Sequence, residues 1–370
     1  MAKLPGVGLT LSGGGARGVG TILGFTSALD LFLLSHDVTD LEYYSGVSAG
    51  SIIASVLAAG ISPLEYVRAG AGRRRPGDLS TIRSRDILAP NFRELGGTIF
   101  RAASAAVRRA RSLVRGAAGA DRGTVLGLLP SAPFRNDRIA EVLRSDLESV
   151  DGNDFRKLGC RLVVTFHDVL RNERIACGCG PDEVSSIPIH EAVTASAAIP
   201  GVFTPRRIRA DGRTYLAVDG GTTGLTINIR GAEGLDVVIA YNDADYAELE
   251  NVEHASAFAL LGLTLRLVLN HRNVDELAIF MDTHPSCHVL LFQPPPGLPT
   301  SLISHAAALR ASRVSFEATR RRLAEEIDYF RLVLEPRGVK LNEGIAEASY
   351  DEVLESGRLA KEALKRRHGL

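Results

Sequence analysis

An apolar run near the start of the chain, Val7-Gly8-Leu9-Thr10-Leu11, stops at a cluster of glycines and predicts a buried strand. From Val19 to Leu34 apolar residues recur at helical spacing. Leu41 to Val47 reads as a second short strand, and Ala49 to Ala59 as a small-residue apolar helix ended by Gly60. Strand, glycine-rich turn, helix, strand, sharp turn and helix follow in that order, the right-handed βαβα opening of a parallel sheet. Further strands are expected at Arg161–Leu170, Arg174–Cys177, Tyr215–Val218, Asp236–Tyr241 and Cys287–Phe292. Helical spacing marks Asn136–Glu148, Ile189–Ala198 (stopped by Pro200), Glu248–Leu277, Leu302–Glu326 and the charged tail Glu352–Arg367. The fold class is therefore α/β with a mostly parallel central sheet, and there is no internal repeat.

One segment breaks the pattern. Between Arg68 and Arg122 there are thirteen arginines against four acids, Asp78, Asp86, Glu94 and Asp121, so this stretch is strongly cationic in a chain whose formal net charge is zero. Ala102 to Val114 has the make-up of a basic helix, flanked by glycine-bearing hinges at 116–119 and 123–130. The segment reads as an arginine-rich insertion or cap, over about residues 70–135, upon an α/β body at 1–250. Residues 251–370 supply C-terminal helices and a late strand, with room for an oligomer interface or regulatory surface. Three roles for the cap stay open: contact with anionic head groups, a solvated loop, or a surface for a partner or anionic ligand.

Overall charge balance argues neither for nucleic acid nor for an acidic membrane as a partner, and no nucleic acid is expected. The first strand begins within a few residues of Met1, which leaves no signal-peptide pattern, and no apolar run reaches the roughly 18 residues of a membrane span. Four cysteines, Cys160, Cys177, Cys179 and Cys287, are too few and irregular for a disulfide scaffold. These features fit a cytoplasmic protein, peripheral at most at the inner membrane surface.

The candidate chemistry lies in three glycine-bearing motifs. Ser12-Gly13-Gly14-Gly15-Ala16-Arg17-Gly18 follows the first strand and fits a dinucleotide fingerprint as written, with Asp37 and Asp40 near the spacing of a ribose-binding acid. Gly46-Val47-Ser48-Ala49-Gly50 is a G-x-S-x-G, which forms a strand-to-helix elbow with Ser48 at its tip. A serine hydroxyl needs a base and a cradle for the tetrahedral oxyanion, and the backbone amides of Gly13, Gly14 and Gly15 offer one. Arg17 is placed to anchor that loop or to meet a phosphate. Asp219-Gly220-Gly221 ends a predicted strand, where the aspartate can accept a proton, although Asp-Gly is also a common turn. The dinucleotide reading leaves Ser48 and Asp219 without a role.

These motifs together resemble the patatin-like phospholipase family, whose pattern is a G-G-G-x-R/K-G loop, a G-x-S-x-G elbow and a D-G-G/A acid. All three stand here in order, and Ala195-Ser196-Ala197-Ala198-Ile199-Pro200-Gly201-Val202-Phe203-Thr204-Pro205 is similar to the family's A-S-x-A-I-P-x-x-F-x-P stretch. The resemblance spans about residues 5–245. It departs from the family where Thr222-Thr223-Gly224-Leu225-Thr226 follows Gly221 in place of an Asn-Asn or Asn-Pro stretch, which leaves the pocket shape open. The resemblance implies a three-layer α/β/α fold and a calcium-independent lipid acyl hydrolase that needs no metal and no cofactor. Ser48 would be the nucleophile, Asp219 the proton acceptor and Gly13–Gly15 the oxyanion hole, with Gly18, Gly46, Gly50, Gly220 and Gly221 as motif glycines. The implied substrate is a phospholipid or other acyl-ester lipid.

Rivals remain at this level. His254 and His271 follow Asp219 and would complete a Ser-Asp-His triad, with His190 a weaker candidate. Cys177, Cys179, His284, Cys287 and His288 superficially offer zinc ligands, but the spacing is not that of a zinc knuckle. A Rossmann-type oxidoreductase, and an effector phospholipase latent until a ligand or partner engages the cap, are the alternative functions.

Overall fold

The computed structural model describes residues 3–73, 89–90, 132, 134–222, 229, 231–243, 275–296, 298 and 305–370. Strand β1 (Leu4–Leu11) leads into helix α1 (Gly15–Phe32), β2 (Leu41–Gly46), α2 (Ala49–Ala58) and α3 (Pro63–Gly70). After a two-residue β3 (Ala89–Pro90) come β4 (Phe134–Arg135), α4 (Asp137–Glu148), β5 (Arg161–Asp168), β6 (Glu173–Cys177) and α5 (Ile189–Ser196). Strands β7 (Arg206–Ala210), β8 (Arg213–Asp219), β9 (Val237–Tyr241) and β10 (His288–Phe292) complete the sheet. The C-terminal part holds α6 (His305–Glu325), α7 (Ile327–Leu334), α8 (Tyr350–Ser356) and α9 (Arg358–Arg367).

Among the described residues eight strands form one sheet in the order β10-β9-β1-β2-β5-β8-β7, with β6 also on β5. The run from β10 to β5 is parallel. β1 is buried on both faces from Val7 onward, as a central parallel strand must be, and reads as a continuous apolar run for that reason. Beyond β5 the sheet turns antiparallel, through β8 and then β7.

The way β5 is shared positions the candidate site. Val164 pairs with Gly46 of β2 on one edge and with Cys177 of β6 on the other. β6 holds its edge along the whole of 164–168, so β8, paired with 166–168, lies on the β2 edge. Strands β2 and β8 therefore run toward each other along the same side of β5. β2 ends at Gly46, opposite Val164, and β8 ends at Asp219, opposite Phe166.

Helices cover the sheet with unusually close backbone contacts. A Cβ at Gly20 or Gly24 of α1 would lie 2.0 Å from the carbonyl oxygen of Ala308 or 2.1 Å from that of Ser312, so α1 and α6 cross with little between their backbones. Phe25 of α1 stacks on Tyr241 and packs against Phe292, tying the same helix to β9 and β10.

Two sequence expectations change. The tail helix expected at Glu352–Arg367 is two helices, broken at Gly357, whose φ is +57° and whose Cβ would lie 2.4 Å from Glu65 Oε1. β7, unread in the sequence because three of its five residues are arginine, is an edge strand that buries only Ile208. Most of the Arg68–Arg122 segment, including Ala102–Val114, lies outside the described residues. So does the Glu248–Leu277 pattern apart from residues 275–277, which belong to a helical stretch described over 275–283.

Candidate active site

The Ser48 elbow is built by sterics. β2 stops, Val47 N–H bonds to the Leu11 carbonyl at 3.2 Å, and the chain turns directly into α2. Ser48 takes φ 53° and ψ −122°, a strained conformation for a residue with a side chain. A Cβ at Gly46 would stand 2.4 Å from the Gly50 carbonyl, and one at Gly50 would stand 2.2 Å from the Leu11 oxygen. Only glycine fits at either position. Both peptide groups of Ser48 are clamped: its N–H donates to Ser196 Oγ at 2.9 Å, and its carbonyl accepts from Ser51 Oγ at 2.6 Å.

Asp219 reaches the same place from the opposite direction, on the end of β8. Gly220 continues the chain where a Cβ would be 2.2 Å from the Thr165 oxygen, so this turn too requires glycine. Asp219 N–H donates to the Ala198 carbonyl at 2.9 Å, and its Oδ1 accepts from Gly221 N–H at 2.8 Å. The nearby Ser48 hydroxyl favours the charged form of this carboxyl, while Oδ2 has no hydrogen-bond partner among the described residues. Burial outweighs these stabilising contacts and pushes the Asp219 carboxyl up to about 6.

The glycine loop closes the third side. A Cβ at Gly13 would lie 3.1 Å from Ser48 Cβ and 3.8 Å from its Oγ, so this backbone lies against the serine. Gly14 is the N-cap of α1, and Gly15 has φ +62°. The N-termini of α1 and α2 meet here, neither carrying a side-chain cap or an acid in its first turn. The dipoles of both helices favour negative charge between them.

Arg17 is 2% exposed, and its guanidinium bonds to Asp243 Oδ2 at 2.8 Å and to the Asp243 carbonyl at 3.1 Å. That arrangement ties the loop to the end of β9 and holds Arg17 away from a phosphate in solvent. Thr21 donates to Asp243 Oδ1 at 2.8 Å, and Asp243 N–H donates to Ser12 Oγ at 2.7 Å. A Cβ at Gly14 would fall 2.0 Å from Asp243 Oδ2, and Gly18 faces the same oxygen at 3.3 Å. Asp243 thus shapes the glycine loop.

Sequence reading missed Asp243, although its position just beyond β9, beside β1, was a signal: ligand sites of parallel sheets form at carboxyl ends of strands. Ser196 was seen only as part of a motif. Asp37 and Asp40 precede β2 and so sit at the far end of that strand from the glycine loop, with Asp37 bonded to Lys361 and Lys365. That location removes the acid the dinucleotide reading needs. His190 bonds to Asn153 at the start of α5, at the opposite end of that helix from Ser196. His254 and His271 lie outside the described residues. Cys177 is on β6 and Cys287 precedes β10 at the other edge of the sheet. Among the described residues no cluster of His, Cys, Asp and Glu could hold a metal ion, and no helix is long and apolar enough to cross a membrane.

A serine on an elbow, a buried carboxylate and a glycine-rich loop thus meet at one end of the strands of an α/β sheet. The patatin-like phospholipase family model matches residues 9–232, well over half of the chain, and the protein belongs to that family. Solved structures with which it is similar include VipD from Legionella pneumophila, at 16% identity and a TM-score of 0.37, covering 97% of this chain and 74% of that one. The type III effector protein ExoU matches at 13% identity and a TM-score of 0.35, covering 98% of this chain and 64% of that one. No curated protein sequence matches the chain.

Proposed function

We propose that the protein is a calcium-independent phospholipase A-type acyl hydrolase working through a Ser48–Asp219 dyad. The observation that carries this reading is the head-on approach of β2 and β8 along one edge of β5, which brings an elbow serine and a buried aspartate together beside Gly13.

Asp219 removes the Ser48 hydroxyl proton as Oγ attacks the ester carbonyl. The carbonyl π pair moves onto oxygen, where the amides of Gly13–Gly15 receive it, each such donor being worth about 3–4 kcal/mol. Collapse expels the glycerol oxygen, which takes the proton from Asp219 and leaves an acyl-serine. Water then attacks the acyl carbon, gives its proton to Asp219, and fatty acid leaves as the proton returns to Ser48. A carboxylate with an ordinary pKa near 4 is a weak base for this step, and raising it to about 6 narrows the mismatch.

The substrate we assign is a glycerophospholipid, approached from the membrane surface with the arginine-rich segment toward anionic head groups. Fatty-acid release from phosphatidylcholine vesicles, with and without added phosphatidylserine, tests both points in EDTA. Release that persists in EDTA, rises with phosphatidylserine and vanishes in Ser48→Ala is expected. Strict dependence on added calcium, or turnover by Ser48→Ala, would contradict the reading.

A further inference from the structure

The dyad is held from outside by a short stretch at the end of α5. Ser196, the last residue of that helix, is fully buried, and its Oγ accepts the backbone N–H of Ser48 at 2.9 Å. Two residues on, the carbonyl of Ala198 accepts the backbone N–H of Asp219 at 2.9 Å. The first contact depends on a side chain. The second uses backbone alone, in the turn where a helix ends and its last carbonyls look for donors outside the helix.

Ser48 N–H lies at a residue with φ 53°. Without an acceptor it would be a buried, unpaired donor, and the peptide before Ser48 would be free to turn toward the nearest oxygen. Acceptors that such a turn would bring into competition are the Asp219 carboxyl, whose Oδ2 has no hydrogen-bond partner among the described residues, and, during the reaction, the oxyanion itself. Either rotation would swing Oγ off its line of attack, and displacements of this order cost large factors in rate. With Ser196 in place, the nucleophile's own amide is already engaged.

We infer that Ser196 is a positioning residue for the nucleophile, fixing the Ser48 peptide so that Oγ faces both Asp219 and the glycine loop. This rests on the Ser48–Asp219 reading above. It acts on geometry alone, so it should move kcat and leave KM in place.

The test uses the full chain and a soluble ester, p-nitrophenyl butyrate, with five proteins: wild type, Ser48→Ala, Ser196→Ala, Ser196→Thr and Ser55→Ala. Ser55 is an equally buried serine on α2 whose hydroxyl donates to the Ile52 carbonyl, and it reports the cost of losing a buried hydroxyl from the same region. Expected are a tenfold or greater fall in kcat for Ser196→Ala with KM within twofold, and kcat within twofold of wild type for Ser55→Ala. Ser196→Thr, which keeps the acceptor oxygen, should recover a substantial part of the rate. The inference is overturned by a Ser196→Ala kcat within twofold of wild type, by an equal fall in Ser55→Ala, or by a fall carried by KM. If wild type itself shows no Ser48-dependent turnover, the dyad reading fails and this inference falls with it.

Discussion

Ser48 and Asp219 owe their proposed partnership to opposite physical effects. The serine is set in a strained backbone by two glycines that allow no side chain, and the aspartate is kept electrically expensive by burial. A carboxyl with a folded pKa of about 6 and an unfolded value near 4 binds its proton more tightly in the native state. Its contribution to stability is therefore present below about pH 4 and lost as pH rises through 6. Catalysis needs the opposite form, so kcat should climb with pH and level off above an inflection near 6. Asp219→Asn should abolish that inflection and reduce kcat by about a thousandfold or more. The same variant should be more stable than wild type at neutral pH, by on the order of 2–3 kcal/mol, with the gain fading below pH 4. Urea denaturation at pH 4 and pH 8 checks the sign, and a variant less stable at both would refute the burial argument.

At the scale of elements, the site is a consequence of strand register and helix contact. β1, β2 and their following helices were legible because each carries a short-range signature: an apolar run, a glycine turn and then helical spacing. α3 also carried one, Ser62 followed by Pro63 at the first helical position, yet at eight residues it is too short for helical spacing to stand out. The Ser48 and Asp219 motifs could be read too, since steric demands at Gly46, Gly50 and Gly220 leave glycines in the sequence. What could not be read is long-range pairing. Nothing local in Asp243 indicates that it meets Arg17, 226 residues earlier, and nothing in Ser196 indicates that it meets Ser48, 148 residues earlier. The α1–α6 crossing belongs to the same hidden class. Gly24→Ala should push Cβ into the Ser312 carbonyl and destabilise the fold by about 1–3 kcal/mol, read as a lower urea midpoint. An unchanged midpoint would mean that the helices are not in backbone contact.

For the whole molecule, the chain's end is locked to its beginning at the pole of the sheet opposite the proposed active site. Lys361 of α9 is 2% exposed and bonds to Asp30 of α1 at 2.7 Å, to the His36 carbonyl at 2.7 Å and to Asp37 at 2.9 Å. Burial pushes the Asp30 carboxyl up against the pull of Lys361. For Asp37 burial works the same way, but Lys361 and Lys365 together hold its carboxyl down at about 2. Lys361→Ala would leave Asp30 buried without its cation and should cost about 3–5 kcal/mol, a deficit that shrinks as acid protonates Asp30. Thermal melts at pH 4 and pH 8 measure it, and equal melting temperatures for variant and wild type at both would contradict the lock. The account as a whole turns on the identity of the reacting atom. Incubation with a fluorophosphonate followed by peptide mass mapping locates it directly: the account predicts one adduct, on Ser48, forming faster as pH rises through about 6 and lost in Ser48→Ala. An adduct on another residue, or labelling that survives Ser48→Ala, would contradict it.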